Sequence, residues 1–297
     1  MHSPLKSMIS FSKLFFTISI ILLFIWSVDS IVLPNKLSVD CFTQNSNEFL
    51  TKLEAYEYVE SLVLKGFLFD EINVIKFSDI ICKLQLKELS LIQCNINDEL
   101  ANLLKIPSCL KLIHIERLNL SSEGIRCIID KLPPALESLE ILDDFENELG
   151  NQKVLLDLSR FSSLRSICLE NLSSNFDIIQ LMISLAKLPL ESIRLYRPRM
   201  NSKDWNYVFD KWTDILFSKT LQVFDVEMGR ADKNAVTRLI NILFSFPFLR
   251  AITLDTFFKF ASIYLPPLPS TIKQLNLKCL DEVNMNANEK SSIYNYN

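Results

Sequence analysis

One hydrophobic frame recurs along this chain, and no other feature restricts its possible folds as strongly. Leu86-Lys-Glu-Leu89-Ser-Leu91-Ile-Gln-Cys94-Asn-Ile96 reads LxxLxLxxCxI. The leading LxxLxL returns at Val59-Leu62-Leu64, Leu136-Leu139-Ile141, Leu164-Ile167-Leu169 and Leu190-Ile193-Leu195. It returns again at Leu221-Phe224-Val226, Leu249-Ile252-Leu254 and Ile272-Leu275-Leu277. Between Leu86 and Leu136 two registers compete, Leu110-Ile113-Ile115 and Ile115-Leu118-Leu120. The first is preferred, because Pro107-Ser-Cys-Leu110 then aligns with Pro133-Pro-Ala-Leu136 and Phe161-Ser-Ser-Leu164. Nine frames result, with starts from 23 (249 to 272) to 31 (190 to 221) residues apart.

Apolar residues at positions 1, 4 and 6 of such a frame point into one core, while positions 3 and 5 alternate outward, as the period of a pleated strand requires. Helix starts follow several frames: Asn97-Asp98-Glu99, Ser121-Ser122-Glu123, Ser173-Ser174-Asn175 and Asn201-Ser202-Lys203. Their short polar side chains suit the unpaired amides of a first helical turn. Helical spacing then takes over, as in Ile178, Leu181, Met182 and Leu185. Leu132-Pro133, Leu188-Pro189 and Phe246-Pro247 mark helix ends, since proline cannot continue a helix. Strand, turn, helix and return make one coil, and stacked coils bury one another's apolar faces.

With this period and strand motif the chain resembles the leucine-rich repeat superfamily over about residues 59–280. It is a divergent, irregular member by this reading: Leu118, Leu172 and Pro198 stand where the motif has Asn or Cys, so the family's asparagine ladder is missing. The resemblance implies an α/β solenoid with a curved parallel sheet on its concave side and helices on its convex side. It also implies a protein partner held on the concave sheet, and no catalytic reaction. Position 5 there reads Val63, Ser90, His114, Glu140, Cys168, Arg194, Asp225, Thr253 and Asn276. Arg194, Tyr196, Arg197 and Arg199 form a basic patch in one repeat, with Glu140 and Asp143 on one nearby strand and Asp225 and Glu227 on another. Tyr and Arg are favoured anchors, since they bury area while keeping a polar handle. The bland alternative is a solvated face with mutual ion pairs. His114 is expected as a surface residue, and Trp205, Phe209 and Trp212 as a core stripe of a convex helix.

Scarcities narrow the chemistry. The chain has two histidines, His2 and His114, and four glycines, none spaced for a phosphate-cradling loop. Histidine dyads, HExxH zinc sites and most Ser-His or Cys-His nucleophiles lack parts here. No CxxC is present, so no cofactor, metal or small-molecule substrate is expected. A net charge of −4 offers no basic excess for nucleic acid.

The ends differ from the middle. Leu14 to Trp26 is an uncharged apolar run, preceded by Lys6 and Lys13 and followed by Ser27-Val28-Asp29-Ser30. Such a run spans about 20 Å as a helix, short of a ~30 Å hydrocarbon core, which favours a signal peptide (residues 1–30) cleaved before Ile31. The rival is an uncleaved membrane anchor over residues 14–33. Residues 31–58 carry no frame; a helix over Asn47–Tyr58 is expected to cap the first coil. Residues 281–297 form a polar, asparagine-rich tail expected to be disordered. Seven cysteines, an odd number, leave at least one thiol unpaired in a monomer. Asn119-Leu-Ser121 and Asn171-Leu-Ser173 are glycosylation sequons. The expected function is an exported protein-recognition module. A membrane-anchored ectodomain and an intracellular adaptor of the ubiquitin-ligase kind are the alternatives.

Overall fold

The computed structural model describes residues 36–40, 46–142, 153–171, 176–212, 216–257, 265–279 and 293–295. The expected signal peptide or anchor, Asp143 and most of the polar tail lie outside them. Eleven strands form one sheet in strict chain order: β1 Lys36–Asp40, β2 Ser61–Lys65, β3 Glu88–Ile92, β4 Leu112–Glu116, β5 Ser138–Leu142, β6 Ser166–Glu170, β7 Ser192–Tyr196, β8 Val223–Gly229, β9 Ala251–Thr256, β10 Gln274–Cys279 and β11 Ile293–Asn295. All neighbours are parallel except β10 and β11. Helices α1 Ser46–Glu54, α2 Glu71–Lys83, α3 Asp98–Leu103, α4 Ser122–Lys131, α5 Ile178–Leu185, α6 Ser202–Lys211 and α7 Lys233–Leu243 return the chain between strands.

The register follows the hydrophobic frame at every step. Leu62 faces Leu89, then Ile113, Leu139, Ile167, Ile193, Phe224, Ile252 and Leu275, so position 4 of each repeat stacks on position 4 of the next. The preferred register at Leu110 is therefore the one observed. Positions 1, 4 and 6 are buried in all nine frames. Adjacent strands sit about 4.8 Å apart whereas packed helices need about 8–10 Å, so the helical side is the longer one and the sheet takes the concave side. The chain is thus an α/β solenoid, the architecture that the repeated frame implies.

Main-chain bonds hold the coils together where an asparagine ladder does not. The carbonyl at position 2 accepts the N–H groups of positions 2 and 3 in the following repeat. Glu60 O receives Lys87 N at 2.8 Å and Glu88 N at 2.9 Å, and the pattern continues through Lys87, Lys111, Glu137, Arg165, Glu191, Gln222 and Arg250. The strands end in a second repeated device. Gly66, Gln93, Arg117, Asn171 and Arg197, each at position 8, have positive φ, and each except the last donates its N–H to the position 7 carbonyl of the next coil. Only Gly66 takes that conformation without a side-chain penalty.

The helix starts follow the polar caps. Asn97 Oδ1 accepts from Leu100 N, Ser121 Oγ from Glu123 and Gly124, and Asn201 forms a capping box with Asp204. One start moves: α5 is capped by Asp177, and Ser173-Ser174-Asn175 lies outside the described residues. Trp205, Phe209 and Trp212 are buried on α6 and at its C-cap, forming the expected core stripe.

Two expectations about the ends change. The segment 31–58 is no mere cap. Its strand β1 extends the sheet, pairing Leu37 with Leu62 and Val39 with Leu64, and α1 follows over a shorter span than expected. Within the tail expected to be disordered, Ile293–Asn295 pairs antiparallel with Asn276–Lys278 of β10.

Caps also join coils. Asp98 of α3 accepts from Ser121 N at 2.8 Å and from the Ser121 hydroxyl. Gly124 sits beneath that carboxylate, and a Cβ there would overlap Asp98 and approach Leu120 Cδ2 within 2.9 Å. Gly→Ala inside an unobstructed helix stabilises by about 1 kcal/mol. Gly124→Ala is expected to reverse that sign and destabilise by about 1 kcal/mol, because it displaces the Asp98–Ser121 bonds. Urea unfolding of the two chains measures it.

Candidate partner-binding face

Along β1–β10, positions 3, 5 and 7 alternate with the core positions, and the register arranges them in straight rows. The position 5 row runs Ser38, Val63, Ser90, His114, Glu140, Cys168, Arg194, Asp225, Thr253, Asn276, each paired with its neighbour. Successive side chains lie one strand spacing apart, about 4.8 Å, close enough for direct contact. The position 7 row carries Glu116, Glu170, Tyr196, Glu227, Asp255 and Lys278. Chemistry on this face is therefore set by neighbours in the row rather than by neighbours in sequence.

His114 illustrates this. Its Nδ1 lies 2.8 Å from Glu140 of the next strand and its Nε2 lies 3.4 Å from Glu116 of its own strand. The side chain is 16% exposed. The expected plain surface histidine is instead a partly buried one held by two carboxylates. The Glu140 hydrogen bond holds its pKa above the ordinary histidine value, against the opposing effect of burial. The same bond holds Glu140 below the ordinary carboxylate range.

The Arg/Tyr patch divides into separate roles. The Tyr196 hydroxyl donates to Asp225 Oδ2 at 2.7 Å, which fixes the ring on the face. Burial, followed by that bond, pushes the Tyr196 pKa far above its usual value. Arg194 stays exposed between Cys168 and Asp225 and forms no ion pair within 4 Å among the described residues. Arg197 begins the turn off the strand, where its guanidinium donates to Asn171 Oδ1 at 3.3 Å. Arg199, also at positive φ, follows it out of the sheet.

Glu227 and Asp255 face each other in the position 7 row. Burial raises both carboxyls; Arg197 opposes this at Glu227 and Lys278, 3.8 Å away, at Asp255. Asp255 and the bracketing carboxylate Glu116 did not stand out in the sequence, because their significance lies in cross-strand pairing. Cys168, expected in an exposed row, is 7% exposed: its short side chain sits between Glu140 and Arg194, and burial lifts the thiol to about 11.

The two sequons separate. Asn119 is exposed just before α4, whereas Asn171 is 6% exposed and engaged by Arg197. An open hollow of about 600 Å³ lies on the helical side, between α2 and α3, lined by Ile75, Leu103, Ile106 and Lys131 among others. Among the described residues no helix is long and apolar enough to cross a membrane.

No family model and no curated protein matches this chain. Among solved structures, the leucine-rich repeat-containing protein LegL7 from Legionella pneumophila is similar to it. That likeness covers 83% of this chain and 74% of that one, at 14% sequence identity and a TM-score of 0.41.

The His114–Glu140 pair gives the face a pH signature. A raised histidine pKa contributes stability that is complete below its unfolded value, about 6.5, and is lost as pH rises through the folded value. Glu140 works in the opposite sense: its contribution is present above 4.5 and disappears as pH falls through its lowered value. Between pH 6 and 8.5 the unmodified chain is expected to lose about 1 kcal/mol more stability than His114→Gln. Parallel stability curves for the two chains across that interval would remove the pair from the energetics.

Proposed function

We propose that this chain is an exported protein-recognition module that holds its partner on the concave sheet. The row at position 5 carries the reading. Positions 1, 4 and 6 are almost uniformly aliphatic because the core demands it, but position 5, apart from Val63 and the buried Cys168, holds a basic, an acidic, a hydroxyl or an amide side chain in turn. Solvent alone does not require that variety, whereas recognition of one particular surface does. Tyr196 supplies a ring already oriented by Asp225, so a partner packing on it finds less side-chain freedom left to lose. Arg194 beside it offers an exposed guanidinium, and the desolvated Glu227 and Asp255 gain from any cation a partner brings.

The reading is of binding and not of catalysis. The single histidine of the face has both ring nitrogens engaged by carboxylates, so neither is turned to the Ser90 hydroxyl on the neighbouring strand. Export rests on the apolar run Leu14–Trp26 with its basic approach and small-residue exit.

Two outcomes are expected. Protein collected from the medium should begin at Ile31 and carry one glycan, at Asn119, that Asn119→Gln removes and Asn171→Gln leaves in place. An intact Met1 on membrane-bound protein would favour the anchored ectodomain, and retention in the cytosol would favour the intracellular adaptor. For the face itself, a partner captured by cross-linking to the full chain should bind at least about tenfold more weakly, some 1.4 kcal/mol, to Tyr196→Ala combined with Arg194→Ala. Lys76→Ala, on the helical side, should leave that affinity unchanged. Equal affinity in the double variant ends the concave-face reading.

A further inference from the structure

The thiols of this solenoid are not equivalent. Cys94 and Cys168 are buried, and burial lifts each to about 11, so neither supplies thiolate near neutral pH. Cys127 is half-buried, and its Sγ lies 3.0 Å from Asn102 Oδ1. Cys82 and Cys109 are the exposed pair among the described thiols.

These two sit on one seam between consecutive coils. Cys82 occupies the last turn of α2. Gln85 then reverses the chain with φ 46°, and Leu86 opens the next frame. Cys109 stands one residue before the Leu110 frame, the place Gln85 holds one coil earlier, and its thiol donates to Leu86 O at 3.3 Å. That contact brings the Cys109 sulfur back across the coil boundary toward the turn that follows Cys82. We propose that Cys82 and Cys109 are a disulfide-forming pair that staples the end of α2 to the entry of β4 when the chain meets a disulfide oxidant.

The electrostatics agree with the placement. Burial holds the Cys82 thiol above its ordinary value; Lys105 opposes this, while Asp79 and Cys109 add to it. Lys87 feels the charge of Cys109 in turn. Lys105 and Lys87 thus flank the pair, and a thiolate is the attacking species in exchange.

The oxidant is a small-molecule disulfide such as oxidised glutathione. One cysteine thiolate, having released its proton to water, attacks a glutathione sulfur and expels the first glutathione as thiolate. The second cysteine thiolate attacks the resulting mixed disulfide at the cysteine sulfur and expels the other glutathione. One S–S bond forms in the protein and one breaks in the oxidant. Two electrons pass from the cysteine pair to glutathione, and two protons complete the two released thiols. The new bond closes a loop of one repeat, which stabilises mainly by restricting the unfolded chain.

The chemistry of the pair rests on the seam alone; its use in the protein's own setting rests on the export reading. The full chain, purified reduced, is equilibrated with a buffer of oxidised and reduced glutathione, alkylated, and digested without reduction. A peptide pair joined through Cys82 and Cys109 is expected, and the oxidised chain should melt several degrees above both its reduced form and oxidised Cys82→Ser. Cys109→Ser should leave Cys82 open to alkylation or bearing glutathione. If both thiols alkylate singly after oxidation, or if either is joined to another cysteine, the proposal is overturned. Protein from the medium and from the cell interior is mapped in the same way. A chain that forms the bond in vitro but stays inside cells with both thiols reduced overturns the export reading and leaves the pair standing.

Discussion

The carbonyl at position 2 of each repeat, shared by two N–H groups of the next repeat, is the interaction on which the rest depends. It recurs from Glu60 to Arg250 and fixes both the spacing and the register of the coils. A strand of five residues has no stability alone, since one edge always carries unpaired donors and acceptors. Each coil supplies that edge to its neighbour, and the apolar positions 1, 4 and 6 close over it as one continuous core. Side chains reinforce the same seam, where Glu60 pairs with Lys87 at 2.5 Å and Lys111 with Glu137 at 2.6 Å. Such exposed pairs contribute about 0–1 kcal/mol each, so the main-chain ladder and the core, not the charges, decide the architecture.

A fixed register also decides the chemistry of the face. Residues a full repeat apart are forced into contact, and that places a histidine beside Glu140, a tyrosine hydroxyl on Asp225 and Glu227 opposite Asp255. None of these contacts needs a local motif. Their consequence is a surface whose side chains are held in place before any partner arrives, on a scaffold that cannot shift one strand without breaking the ladder. The proposed recognition role draws on that rigidity, and the proposed staple at Cys82 and Cys109 sits at the strand-entry edge of the same seam.

The architecture was legible because the core repeats one simple demand. Aliphatic side chains at positions 1, 4 and 6, and caps at Asn97, Ser121 and Asn201, act over a few residues and leave a local trace. The first strand escaped notice because Pro34 occupies its position 1, leaving only Leu37 and Val39 of the usual three apolar residues. The positive φ values at position 8 were hidden for a similar reason: glycine marks this turn at Gly66, but Gln93, Arg117 and Asn171 adopt it under the pull of the neighbouring coil. The face was legible as a row and illegible as a network. Which residues share position 5 follows from the frame; that Cys168 is covered and His114 doubly engaged follows from side-chain size and direction in adjacent strands.

Amide hydrogen exchange tests the central claim most directly. The N–H groups of Lys87, Lys111, Glu137, Arg165 and Glu191 belong to exposed polar residues at the mouths of the strands, yet each donates to the carbonyl one coil earlier. They are expected to exchange as slowly as Leu89, Ile113 and Leu139 at the strand centres, because both sets open only when coils separate. Exchange at the rate of an unstructured chain at these five positions, with the strand centres still protected, would contradict a solenoid joined by this ladder.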